Sequence, residues 1–123
     1  MKFKIYRNGE QLSNEELYFN DQKTNFIFHG LFGRAKNWHS IALRISSITN
    51  GLFVVFDLRN HGENKPSSEI SYSLMVKDIY EFIQRKNISK ISIIGHSIGG
   101  KLGMIFSLRG IALVLISILI LIH

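Results

Sequence analysis

Lys90-Ile91-Ser92-Ile93-Ile94-Gly95-His96-Ser97-Ile98-Gly99-Gly100-Lys101 is the stretch on which the fold turns. Ile91, Ile93 and Ile94 form a short β-branched run with the character of a strand buried on both faces. The run stops at Gly95-His96-Ser97-Ile98-Gly99, after which Lys101 to Leu108 has the composition of a helix. Gly-x-Ser-x-Gly between a strand and a helix is a nucleophile elbow. Its spacing has a steric cause: Ser97 must occupy a tight, strained turn for its hydroxyl to stand clear of the backbone. The chain then passes so close to itself two residues either side that only Gly95 and Gly99 fit. The following helix aims its first N–H groups at the same place, where they favour negative charge.

Outward from the elbow, strands and helices alternate. Leu52 to Phe56 is a continuous apolar run that predicts a buried strand, and it ends in Asp57-Leu58-Arg59-Asn60-His61-Gly62. A polar loop holding the only proline, Pro66, leads to a helix. Met75, Ile79 and Phe82 line one row of it and Val76, Tyr80 and Ile83 the next, ending near Asn87. Before that, Thr24 to Phe28 predicts a strand running into His29-Gly30-Leu31-Phe32-Gly33. A helix over Lys36 to Ile48 follows, with apolar spacing at Trp38, Ile41, Ala42 and Ile45. Lys2 to Arg7 and Glu16 to Phe19, separated by the turn dipeptide Asn8-Gly9, predict an N-terminal hairpin. Apolar strands alternating with helices imply an α/β fold with a mostly parallel sheet covered by helices on both faces.

Composition narrows the function classes. The chain has 123 residues, 46% of them hydrophobic, which fits one globular domain and excludes disorder. Without cysteine there is neither a disulfide framework nor a thiolate metal site. The net charge of +6 arises because no Asp or Glu follows Glu81. The cations are scattered, which argues for a solvated basic surface and against a nucleic-acid partner. The first residues lack the apolar core of a signal peptide, so a cytoplasmic address is expected.

Three blocks, His29 to Gly33, Asp57 to Gly62 and Gly95 to Gly100, stand in an order that resembles the α/β-hydrolases. The Asp-Leu-Arg-Asn-His-Gly form is most similar to that of bacterial YbfF-type esterases and their mitochondrial abhydrolase relatives. The resemblance covers roughly Thr24 to Leu108. It implies that Ser97 is the nucleophile and that the backbone N–H groups of Leu31 and Ile98 form an oxyanion hole. It also implies that Gly95, Gly99, His29, Gly30, Asp57, Arg59 and His61 are structural motif residues. Asp57 and Arg59 would brace the loop after their strand through Asp–Arg and backbone hydrogen bonds. His96 is a structural residue, because consecutive side chains diverge at an elbow. No metal and no cofactor is called for; the substrate would be a small-molecule carboxylic ester.

The triad order of this fold is Ser, then Asp or Glu, then His. After Ser97 the sequence holds no carboxylate, and the one later histidine is His123. Residues 1–123 thus read as a single, incomplete α/β-hydrolase domain, truncated and without catalytic competence by itself. Residues 110–123 form an atypical apolar tail, Gly-Ile-Ala-Leu-Val-Leu-Ile-Ser-Ile-Leu-Ile-Leu-Ile-His, expected as a strand starting near Ile111 and able to mediate self-association. Two alternatives remain: a non-enzymatic interaction fragment, and a short membrane-tethered protein using the tail, although the tail is shorter than the ~20 residues a span needs.

Overall fold

A computed structural model describes residues 2–13, 23–30, 33–49, 51–59, 72–108 and 115–121. They build a six-stranded sheet and three α-helices: β1 (Phe3–Arg7), β2 (Glu10–Leu12), β3 (Lys23–Phe28), α1 (His39–Ile48), β4 (Leu52–Phe56), α2 (Tyr72–Lys86), β5 (Lys90–His96), α3 (Ile98–Leu108) and β6 (Leu115–Leu121). A 3₁₀ turn, Ala35–Trp38, leads into α1. The strands lie in the order β2-β1-β4-β3-β5-β6. β3, β4, β5 and β6 run parallel, and β1 is antiparallel to both β2 and β4.

The hairpin turns sooner than expected. Asn8 and Gly9 both take positive φ, 51° and 78°, the pairing that a two-residue type I′ turn demands. The chain therefore reverses at once, Arg7 faces Glu10, and the second strand is Glu10–Leu12. The expected partner strand at Glu16 to Phe19 lies outside the described residues.

The parallel strands alternate side chains between two cores. On one face Phe26, Phe28, Leu52, Val54, Phe56, Ile91 and Ile93 meet α2 and α3. On the other, Tyr6, Ile27, Phe53 and Val55 meet Ala35 and Ala42, with Trp38 and Ile45 packed against them. Such two-sided burial explains why these strands read as unbroken apolar runs. Phe82 of α2 sits edge-on to Phe3 at 4.8 Å and to Phe56 at 4.9 Å between ring centroids, a geometry the ring quadrupoles favour. Ile41 and Tyr80, assigned to apolar rows by their spacing, are instead exposed. Each helix rests on a narrower stripe than its apolar residues could cover.

Each connection is stopped locally. At the end of α2, Asn87 adopts φ 56°, Ile88 N–H donates to Ile83 C=O at 3.1 Å and Asn87 N–H to Gln84 C=O at 3.3 Å. That is a Schellman arrangement, which satisfies the last carbonyls and turns the chain into β5. Arg85 and Lys86 in the final turn complement the helix dipole. α3 begins at Ile98, three residues before the sequence suggested, directly behind Ser97.

The tail's strand is Leu115–Leu121, later than the expected start near Ile111; residues 111–114 lie outside the described set. It pairs with β5 in an unbroken parallel register from Lys90↔Leu115 to His96↔Leu121. Among the described residues no helix is long and apolar enough to cross a membrane.

Candidate active site

The chain leaves β3 for α1 on one face of the sheet and leaves β5 for α3 on the other. β3 and β5 are neighbours, so their carboxyl ends flank a topological switch point, where open α/β sheets form a crevice. The register pairs Phe28 with Gly95, which brings His29-Gly30 alongside His96-Ser97. Two of the three sequence blocks meet here, and the third follows at the end of β4.

Ser97 has φ 56° and is exposed, the one non-glycine residue of the elbow in the left-handed region. For an L-residue outside Gly this conformation costs about 1–2 kcal/mol, so the surroundings must enforce it. Gly95 and Gly99 are the means. A Cβ on Gly95 would lie 2.5 Å from Gly99 C=O and 2.6 Å from the Gly100 Cα. A Cβ on Gly99 would collide with the Phe28 carbonyl oxygen and stand 2.5 Å from that of His29. The first turn of α3 is thus pressed onto the end of β3 by backbone–backbone contact. Its first helical bond closes behind the serine, with Lys101 N–H donating to Ser97 C=O at 3.1 Å. The N–H groups of the residues between have no intrahelical acceptor and point toward the elbow's open side.

The turn after β3 is held from several directions. Gly33 N–H donates to Gly30 C=O at 2.9 Å, closing the turn. The buried His29 ring approaches Gly30 C=O through Nδ1 at 2.8 Å and accepts Leu58 N–H at Nε2, at 3.0 Å. Asp57, also buried, accepts Ala35 N–H on Oδ1 at 2.6 Å and so caps the start of the 3₁₀ turn. His96 lies across Gly30, where an added Cβ would come within 2.5 Å of its Nδ1. Leu31 and His61 lie outside the described residues.

Asp57 thus braces the loop after β3 through a backbone N–H. The Asp–Arg contact of this region is supplied from elsewhere: Arg59 forks onto Asp78 of α2, Nε to Oδ2 at 3.0 Å and NH2 to Oδ1 at 2.8 Å. Paired N–H···O bonds between guanidinium and carboxylate fix orientation as well as charge, and here they tie the β4 loop to α2. Asp78 was invisible to sequence reasoning. It sits among the polar positions of an amphipathic helix, and nothing in its spacing reports a partner nineteen positions earlier. Among the described residues no group of three or more His, Cys, Asp or Glu could hold a metal ion.

Comparison with known proteins agrees with this geometry. Residues 26–112 match the family model described as alpha/beta hydrolase fold. The chain belongs to the α/β-hydrolase family. It is 39% identical over 83 residues to an abhydrolase domain-containing protein of Schizosaccharomyces pombe, covering 68% of this chain and 31% of that one. It is also 39% identical over 82 residues to the sn-1-specific diacylglycerol lipase ABHD11 of Danio rerio, covering 66% of this chain and 26% of the lipase. A solved marine microorganism esterase superposes with a TM-score of 0.78 at 29% identity, over 97% of this chain and 40% of the esterase. The α/β-hydrolase chain described here therefore spans less than a third of the length of these curated relatives.

Proposed function

We propose that this chain carries the nucleophile and oxyanion half of a serine carboxylic-ester hydrolase, with Ser97 forming the acyl-enzyme. The observation that carries the reading is Ser97 itself: exposed, at φ 56°, at the carboxyl end of a central strand and directly before a helix. Similarity to proteins named as an esterase and a lipase supports an ester bond as the target. The Ser97 hydroxyl oxygen would attack the ester carbonyl carbon. The carbonyl oxygen, becoming an oxyanion, would receive hydrogen bonds from Ile98 N–H and Leu31 N–H. Collapse would expel the alcohol and leave an acyl group on Ser97 for water to remove. Donors placed where the oxyanion forms are worth about 2.7–4 kcal/mol each, so this half of the site supplies a large share of any catalysis.

The proton on Ser97 also needs an acceptor. No Asp or Glu follows Glu81, and the one histidine after Ser97 is His123. The hydroxyl of these 123 residues alone therefore stays protonated and weakly nucleophilic. The substrate is a small-molecule ester, and the setting is the cytoplasm, in keeping with a chain that draws nothing on disulfides.

The test is labelling with a fluorophosphonate alongside hydrolysis of p-nitrophenyl acetate. The expected outcome is slow phosphonylation confined to Ser97 and absent from Ser97→Ala, with ester turnover at background in both. Labelling that persists in Ser97→Ala would refute the nucleophile. Rapid hydrolysis that vanishes in Ser97→Ala would refute the incompetence of the isolated chain.

A further inference from the structure

We infer that His29 is a positioning residue: as a neutral imidazole protonated on Nδ1, it fixes the orientation of the Gly30–Leu31 peptide plane. This rests on the reading of Leu31 N–H as an oxyanion donor. The inference begins with what the two ring nitrogens face. Nδ1 lies 2.8 Å from the Gly30 carbonyl oxygen, which can only accept. Nε2 lies 3.0 Å from Leu58 N–H, which can only donate. One protonation state satisfies both contacts, the neutral ring with its proton on Nδ1. The other tautomer sets a lone pair against the carbonyl oxygen and a ring N–H against Leu58 N–H. The imidazolium keeps the first bond but turns Nε2 into a donor facing a donor. His29 is fully buried, so water offers no ready substitute for either bond.

Gly30 C=O accepts two hydrogen bonds, from the His29 ring and from Gly33 N–H at 2.9 Å. The peptide unit is planar, and in its trans form the C=O and the following N–H point in opposite directions. Holding the Gly30 oxygen on one side therefore fixes the direction of the next N–H on the other, that of Leu31. A flip of this plane would turn a carbonyl oxygen toward the developing oxyanion, repelling the charge the site must stabilise. His29 opposes the flip because the flip would strand its Nδ1–H in a buried site. The anchor of the ring is also rigid: Leu58 is buried next to Asp57, whose carboxylate holds Ala35 N–H at the far end of the same turn. One segment at the end of β4 thus clamps both ends of the loop, the near end only through the imidazole.

Magic-angle-spinning NMR on the full chain reads this directly and tolerates association. With ¹⁵N-histidine labelling, the signal lost in His29→Gln should be a neutral ring protonated on Nδ1. An Nε2-protonated or doubly protonated ring at neutral pH would overturn the proposal without any variant needing to fold. His29→Gln keeps an acceptor near Nε2 but removes the Nδ1 donor; His29→Asn keeps a donor near Nδ1. The Gly30 carbonyl ¹³C and Leu31 amide ¹⁵N signals should therefore shift in His29→Gln and return toward wild type in His29→Asn. Unchanged signals in His29→Gln, or an equal displacement in both variants, would refute the clamp. Ser97→Ala should leave the tautomer and both signals in place. Failure of the nucleophile reading and failure of the clamp are therefore read separately.

Discussion

Replacing Gly99 with Ala isolates the contact that joins the elbow to the neighbouring strand. On helix propensity alone the change should stabilise α3, since Gly in a helix interior is about 1 kcal/mol less favourable than Ala. The added methyl, however, would overlap the Phe28 carbonyl oxygen and lie 2.5 Å from the His29 carbonyl oxygen. Both belong to the end of a central parallel strand that cannot yield without moving its ladder. Overpacking costs typically ~1–3 kcal/mol, and with backbone as the obstacle the upper end applies, leaving a net loss of about 2–3 kcal/mol. Gly103→Ala is the control within the same helix. Its methyl would meet only Ile93 Cγ2, at 2.9 Å, a side-chain end that can shift. The propensity gain and a modest repacking cost should cancel to within about 1 kcal/mol. Urea unfolding followed by the fluorescence of Trp38, the single tryptophan, measures both. With a slope of about 1.5 kcal/mol/M, a loss of 2–3 kcal/mol lowers the midpoint by about 1.3–2 M. Equal midpoints for the two variants would refute the reasoning, because the elbow would then not be pressed onto β3 by Gly99.

Burial raises the pKa of the Tyr6 hydroxyl, which lies 2.8 Å from His39 Nδ1. A folded-state pKa above the unfolded value means stability that is complete below about pH 10 and declines as pH rises through the folded value. Tyr6→Phe should flatten this alkaline decline, and an unchanged urea-midpoint profile above pH 10 would contradict it. β6 ends the described sheet, carries no charge or proline, and its outer edge should pair with a second copy of the chain. Sedimentation velocity should show concentration-dependent association that Ile118→Lys reduces, and a wild-type monomer at every concentration would dispose of the idea.

Much of the architecture follows from local sequence alone. Runs such as Leu52 to Phe56 can only be strands buried on both faces, and Gly95 and Gly99 around Ser97 are legible because backbone crowding excludes every larger residue. Asn8-Gly9 was legible too, but its consequence was not: two positive φ values reverse the chain within two residues, and so the hairpin closed at Glu10. What the tertiary structure alone decided are pairings between elements. That Arg59 takes Asp78, that Asp57 takes the Ala35 N–H, and that both nitrogens of His29 are saturated depend on the β4 loop meeting the β3 turn and α2 in space. Periodicity records which way a residue faces relative to its own element. It carries no record of which atom of another element waits there, because that is fixed by strand order and by the faces the crossovers take. The sequence thus named Ser97 and the turn at Gly30, while only the packed sheet set them side by side.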